Sequence, residues 1–218
     1  MRIGVVGAGN VGVGIGKRLA AAGHELVVSF SKSQEELDRA ASAIGGGARA
    51  GSVEEAAAHG EVVVLATPWE ATQGALGQAG DGLTGKTVWD CTNPLLPDMS
   101  GLALGTTTSG GEQVQAWAPG ARVVKAVPPF AELLHAPSTE IAGRRPGVFV
   151  CGDDADARGI VSGLVREIGA DPTDAGPLRL ARYTEPLGML LVQLAYAQGM
   201  GARIGVALLR DAQAGGTP

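Results

Sequence analysis

Gly7, Gly9 and Gly12 stand in G-x-G-x-x-G spacing between an apolar run, Ile3-Gly4-Val5-Val6, and a segment able to form a helix from about Asn10. Each glycine answers a separate steric demand. Gly7 permits a tight turn, Gly9 leaves the backbone bare where a ligand must approach, and Gly12 lets the helix lie close to its strand. Asn10 and Val11 complete the turn. Unpaired N–H groups at the start of such a helix attract anions, so this spacing suits cradling of a dinucleotide pyrophosphate. A purely structural glycine turn is the competing reading in a chain with 35 glycines. The strand before, the helix after and a second strand at the expected distance favour the nucleotide.

Leu26-Val27-Val28 reads as that second strand, and Ser29-Phe30-Ser31-Lys32-Ser33 follows it with no acid before Glu35. An NAD site ordinarily places Asp or Glu here to accept from the ribose hydroxyls. Ser31 and Ser33 can instead donate to a 2′-phosphate while Lys32 neutralises it, which favours NADP(H). The plainer alternative is a solvated helix start. Two later turns should flank the nicotinamide half. In the first, Thr67-Pro68-Trp69, Thr67 can hydrogen-bond the ligand and Pro68 fixes the loop direction. Trp69 there either shields the nucleotide or simply packs. In the second, Asp90-Cys91-Thr92-Asn93-Pro94-Leu95, Thr92 and Asn93 can reach the ribose or carboxamide and Pro94 sets the path. Val127, Pro128 and Phe130 are then candidates for an apolar wall against a flat acceptor ring.

Covalent and metal chemistry find no support. The three histidines are widely separated, and only His135 falls plausibly near a substrate. Cys91 and Cys151 are too few and too distant for a disulfide framework or a zinc site, and read as buried thiols. Asp90 precedes its loop and suits bonding to backbone amides. Direct hydride transfer asks for positioning and water exclusion more than for a strong acid or base, so no residue is singled out as catalytic.

The elements that must position these residues alternate strand and helix. Helical spacing at Val11, Ile15 and Leu19 ends at Gly23, and Ser33 can cap a helix through Ile44 with Glu36 as capping-box partner. Ser52 can cap a helix from Val53 to His59, and Glu61 to Ala66 is the clearest buried strand. Trp69 to Ala79 reads as helix, Thr87 to Asp90 as strand, Glu112 to Trp117 as helix and Arg122 to Val127 as strand. Such apolar strands specify a Rossmann-type, doubly wound, mostly parallel α/β sheet. The rhythm loosens after Val127. It resumes with the strand Val148 to Cys151, a helix from Ala155 to Ile168, a short strand near Pro172 to Asp174 and a helical tail from Leu178 to about Arg210. The expected division is a dinucleotide-binding domain, 1–127, and a smaller C-terminal extension, 128–218, either separate or continuous with the main sheet.

Apolar residues at 45% and charged residues at 18% suit a compact fold rather than wholesale disorder. Net charge is −5 without a Lys/Arg cluster, which argues against nucleic acid. No apolar stretch reaches the roughly 20 residues that span a bilayer, and no signal peptide is evident, so a cytoplasmic, non-membrane protein is expected.

At these residues the chain resembles the deazaflavin-dependent NADP oxidoreductase family. Gly7-Ala8-Gly9-Asn10-Val11-Gly12 matches its opening turn, and Gly23-His24-Glu25-Leu26-Val27-Val28 followed by Ser31-Lys32 resembles its second strand and phosphate-binding segment, Lys32 standing where arginine is commoner. Ala66-Thr67-Pro68-Trp69-Glu70 and Asp90-Cys91-Thr92-Asn93-Pro94-Leu95 match its ligand loops. Val150-Cys151-Gly152-Asp153-Asp154 and Asp174-Ala175-Gly176-Pro177-Leu178 match two later signatures. The resemblance implies hydride transfer between NADPH and the 8-hydroxy-5-deazaflavin coenzyme. One segment departs: relatives often carry Asn-Thr or His-Thr-Ile-Pro where this chain has Ala126-Val127-Pro128-Pro129-Phe130. That leaves flavin, quinone or metal-chelate acceptors open. Arg179 and Arg182 either meet an acidic acceptor tail or form a subunit contact, and the apolar tail suits a homodimer. A nucleotide-binding regulator without turnover, and a reductase of small imines or 3-hydroxy acids, are the competing functions.

Overall fold

The computed structural model describes residues 1–211. β1 (Arg2–Val6) leads through the glycine turn into α1 (Asn10–Ala21), and β2 (Glu25–Ser29) into α2 (Gln34–Ile44). β3 (Arg49–Ala50), α3 (Val53–His59), β4 (Val62–Leu65), α4 (Trp69–Ala79) and β5 (Thr87–Asp90) follow, then α5 (Gly110–Trp117) and β6 (Arg122–Lys125). α6 (Ala131–His135), β7 (Gly147–Gly152), α7 (Ala155–Glu167), β8 (Asp171–Gly176) and α8 (Ala181–Val192) complete the set. One eight-stranded sheet runs in the order β3-β2-β1-β4-β5-β6-β7-β8. Every pairing is parallel except β6 with β7, which meet antiparallel at Val124–Gly152 and Lys125–Cys151.

The strands read as unbroken apolar runs because the pleat sends alternate side chains into two covered layers. Ile3, Val5, Val64 and Trp89 meet Ile15 and Leu19 of α1, Leu37 of α2 and Val161 of α7 on one face. Val6, Val63, Leu65 and Val88 meet Val53 of α3, Ala75 and Leu76 of α4 and Val114 of α5 on the other. Trp89 is fully buried, and its indole N–H donates to the Ala126 carbonyl at 2.9 Å. Chain direction away from β1 reverses between β2 and β4, so the carboxyl ends of β1 and β4 open into the crevice where ligands bind in such sheets. Among the described residues no helix is long and apolar enough to cross a membrane.

The sheet continues past position 127, since β7 and β8 join it directly; positions 212–218 of the expected extension lie outside the described residues. The tail departs from expectation. Helix ends with a wide turn at Gln193–Ala197 instead of running to Arg210. Gly199 and Gly201 then adopt left-handed backbone, φ 69° and 76°, which a continuing helix cannot contain. The chain returns extended across the start of β7, where the Gly147 N–H donates to the Val206 carbonyl at 2.6 Å. Ala202, Ile204 and Val206 alternate with exposed neighbours, a period of two that signals extended chain.

Candidate functional site

The glycine turn meets the steric demands read from its spacing. Gly7 has φ 125°, and a Cβ there would lie 2.3 Å from the Ala66 carbonyl oxygen. A Cβ on Gly12 would lie 1.9 Å from the Gly7 oxygen, whereas one on Gly9 would meet nothing within 4 Å. Gly9 is also the N-cap of α1 and supplies no side-chain cap, so the first-turn N–H groups beside Asn10 and Val11 face that open space. An anion fits this cradle on the observed geometry. His135, expected near the acceptor, is placed elsewhere. Its Nε2 lies 2.8 Å from the Asn10 carbonyl, because α6 packs on α1, where Arg18 donates to the carbonyls of Leu134 (2.9 Å) and Ala136 (2.7 Å). The histidine braces the turn from behind and does not line the cleft.

The end of β2 is tied to the same turn. Gly7 N–H donates to the Ser29 carbonyl at 2.9 Å and Ala8 N–H to that of Phe30 at 3.1 Å. Ser31, Lys32 and Ser33 are exposed beside it. Ser33 caps α2 by accepting from Glu36 N–H at 3.2 Å. The capping box expected with Glu36 does not form. Its carboxylate turns back instead to accept from the Ser31 hydroxyl at 2.8 Å. That hydroxyl first, then the backbone and charge of Lys32, hold Glu36 below the usual carboxylate range. A carboxylate therefore does reach this corner, contrary to the reading from the order of residues.

At the ends of β4 and β5 the loops are fixed by buried polar bonds. The Thr67 hydroxyl pairs with that of Thr72 at 2.9 Å, and Thr72 donates to the Pro68 carbonyl at 3.0 Å. Trp69 packs its ring against that of Trp117, centroids 5.2 Å apart, and another part of it lines the cleft. Asp90 accepts from Thr92 N–H (2.9 Å), the Thr92 hydroxyl (2.7 Å) and the Lys125 ammonium (2.8 Å). Lys125 is fully buried and also reaches the Thr92 carbonyl at 2.7 Å and Glu185 at 3.1 Å. Glu185 in turn takes the N–H groups of Gly110 (2.8 Å) and Gly111 (2.9 Å) at the start of α5. Burial opposes the charge on Lys125, but the two carboxylates outweigh it and raise its pKa above the ordinary lysine value.

This network holds the loop bearing Asn93. The Asn93 Nδ2 donates to the Glu185 carbonyl at 3.3 Å, which leaves Oδ1 buried without a partner in the cleft wall. An orphaned acceptor here fits a donor such as a ligand carboxamide or ribose hydroxyl. Pro94, grouped with the cofactor contacts from sequence, is turned away; it packs beside Gly110 and does not line the cleft. Lys125 and Glu185 escaped the sequence reading. Their signal was a charged residue inside an otherwise apolar strand or helix face.

The cleft measures about 620 Å³ and runs from Asn10 and Val11, between the Thr67 and Asn93 loops, to Val127, Pro128 and Phe130. Phe130 meets Tyr196 edge to face at 5.8 Å, and the Tyr196 hydroxyl donates to Glu132 at 3.1 Å. The extended segment Ile204–Val206 closes the far wall. Glu70 and Glu132 are the charged residues among its lining. Arg179 and Arg182 are not among them. Arg182 forms a bidentate pair with Glu112, 2.8 and 2.6 Å, and Arg179 lies in a separate depression with Glu112 and Asp153. They face α5 because the turn at Gly176-Pro177 sends the chain onto that side of the sheet, so neither meets an acceptor in the cleft.

The strand order, the switch-point crevice and the glycine cradle define a Rossmann-type dinucleotide-binding protein. Residues 2–94 match the family model described as NADP oxidoreductase, coenzyme F420-dependent. The crystal structure of a protein from Arthrobacter sp. FB24, provisionally assigned as an F420-dependent NADP reductase, superposes with a TM-score of 0.84 at 32% identity, covering 95% of this chain and 99% of that one. The F420-dependent NADP reductase of Methanocaldococcus jannaschii is 28% identical over 94% of this chain and 98% of its own length. The metalloreductase STEAP3 of Rattus norvegicus is also 28% identical, over 88% of this chain, but the chain spans only 37% of that relative's length. The chain belongs to the coenzyme F420-dependent NADP oxidoreductase family.

Proposed function

We propose that the protein transfers hydride between NADPH and the 8-hydroxy-5-deazaflavin coenzyme, F420. One observation carries this reading: a single cleft joins the glycine cradle to the apolar wall at Phe130, with the Thr67 and Asn93 loops on either side. When bound, NADPH supplies the hydride. Gly7, Gly9 and Gly12 with the first turn of α1 hold the pyrophosphate, and Ser31, Lys32 and Ser33 hold the 2′-phosphate. Asn93 Oδ1 accepts from the nicotinamide carboxamide, while Thr67, Pro68 and Thr92 keep the two loops at a fixed separation. Val127, Pro128 and Phe130 exclude water and align the acceptor ring, the contribution hydride transfer most needs. A regulator without turnover would present a nicotinamide face blocked by side chains or open to water; the apolar wall of Val127, Pro128 and Phe130 beside an unblocked cleft favours turnover instead.

The free, buried thiols of Cys91 and Cys151 fit a reducing cytoplasm. The test is NADPH oxidation by one preparation with deazaflavin, with free flavin and with no acceptor. Oxidation that depends on deazaflavin is expected. A deazaflavin rate equal to the acceptor-free blank would overturn the reading, whatever the flavin arm gives.

A further inference from the structure

The corner that would receive the 2′-phosphate already holds an anion of the protein. Ser31 has one hydroxyl proton, and it is given to Glu36 at 2.8 Å. The Lys32 backbone and ammonium act on the same carboxylate. The Glu36 backbone is held, because its own N–H is bound by the Ser33 cap at 3.2 Å in the first turn of α2, so the carboxylate stays within a side chain's reach of Ser31. Nor can the serine edge retreat, since Ser29 and Phe30 are bonded to the glycine turn. A phosphate at this place must take the Ser31 proton from Glu36 and bring about two negative charges beside a third. An unphosphorylated ribose needs neither change. Its 2′-hydroxyl can donate to Glu36 where the carboxylate already stands.

We propose that Glu36 is a specificity-determining residue that opposes the 2′-phosphate, so the protein binds NADH as well as NADPH. The inference rests on the reading of Ser31 and Lys32 as the phosphate seat. Lys32 favours the phosphorylated coenzyme and Glu36 the unphosphorylated one, and discrimination is the difference between them. Ser31 and Lys32 are exposed and Glu36 is half-buried, so solvent and salt hold each effect to a modest size.

The experiment is fluorescence titration of the full chain with NADPH and with NADH, for wild type, Glu36→Gln, Glu36→Lys and Lys32→Ala. Wild type should bind NADH within about tenfold of NADPH. Glu36→Gln should tighten NADPH about three- to tenfold and move NADH less than about twofold, with Glu36→Lys tightening NADPH further. Added salt should shrink these differences. NADPH affinity unchanged in both Glu36 variants, weakened by them, or shifted equally with NADH would overturn the proposal. Lys32→Ala separates this from failure of the seat itself: equal losses for both coenzymes would show that the phosphate lies elsewhere, and would overturn the seat and the proposal together.

Discussion

A lysine at the end of an apolar strand is costly unless its charge is matched, and Lys125 is matched twice. Asp90 and Glu185 come from β5 and α8, and the three charges meet with side chains 0%, 0% and 2% exposed. Such a cluster is weak evidence for net stability, because desolvation consumes much of the Coulombic gain. It does fix geometry. Thr92 and Asn93 receive their positions from it, and Asn93 carries the unpaired acceptor that faces the cleft. Removing one partner is a different matter from never having had the cluster. Lys125→Met should leave two carboxylates buried without their cation and cost about 3–5 kcal/mol, read as a fall in the urea unfolding midpoint. An unchanged midpoint would show that the network contributes no constraint. Asp90 was legible as a loop anchor from its place before Cys91. Its partner was not, because nothing in the order of residues says which charges two other elements will deliver.

At the scale of elements, the glycine turn separates function from folding within six positions. Gly9→Ala puts a methyl group into empty space, so stability should hold while NADPH affinity falls by at least about tenfold through exclusion of the pyrophosphate. Gly12→Ala drives a methyl group into the Gly7 carbonyl at 1.9 Å, so the strand and helix must part and thermal stability should fall. Matched melting curves and coenzyme titrations on both variants distinguish the two roles. Loss of stability in Gly9→Ala without loss of affinity would place the pyrophosphate elsewhere. The spacing itself displayed this division, since each glycine's role follows from its offset along a strand-turn-helix. α6 was less legible. Its five residues sit between prolines, and its function is to carry His135 and the carbonyls bound by Arg18 against α1.

For the molecule as a whole, α8 has two unlike faces. Leu187 and Leu191 turn into the cleft, while Tyr183 and Leu190, seven residues apart and so on one stripe, are 71% and 54% exposed. We propose that a second copy of the chain covers this stripe. Wild type should sediment as a dimer, and Leu190→Glu with Tyr183→Glu should sediment as a monomer with its melting behaviour checked alongside. A monomeric wild type would overturn the assignment. The same helix that offers this stripe also supplies Glu185 to the buried cluster that holds the Asn93 loop.

The sequence by itself determined the alternating strands and helices, the parallel twofold-covered sheet and the glycine cradle, because these follow from periodicity and from steric limits that act within a few residues. Tertiary structure decided what depended on distant segments meeting. It took His135, Pro94, Arg179 and Arg182 away from the cleft, turned the end of the expected helix into an extended wall, and brought Lys125 to Asp90 and Glu185. It also folded Glu36 back onto Ser31. That last pair is close in sequence, yet the choice among the hydrogen-bond partners open to a flexible carboxylate was made only once the helix start and the strand end had been fixed in space.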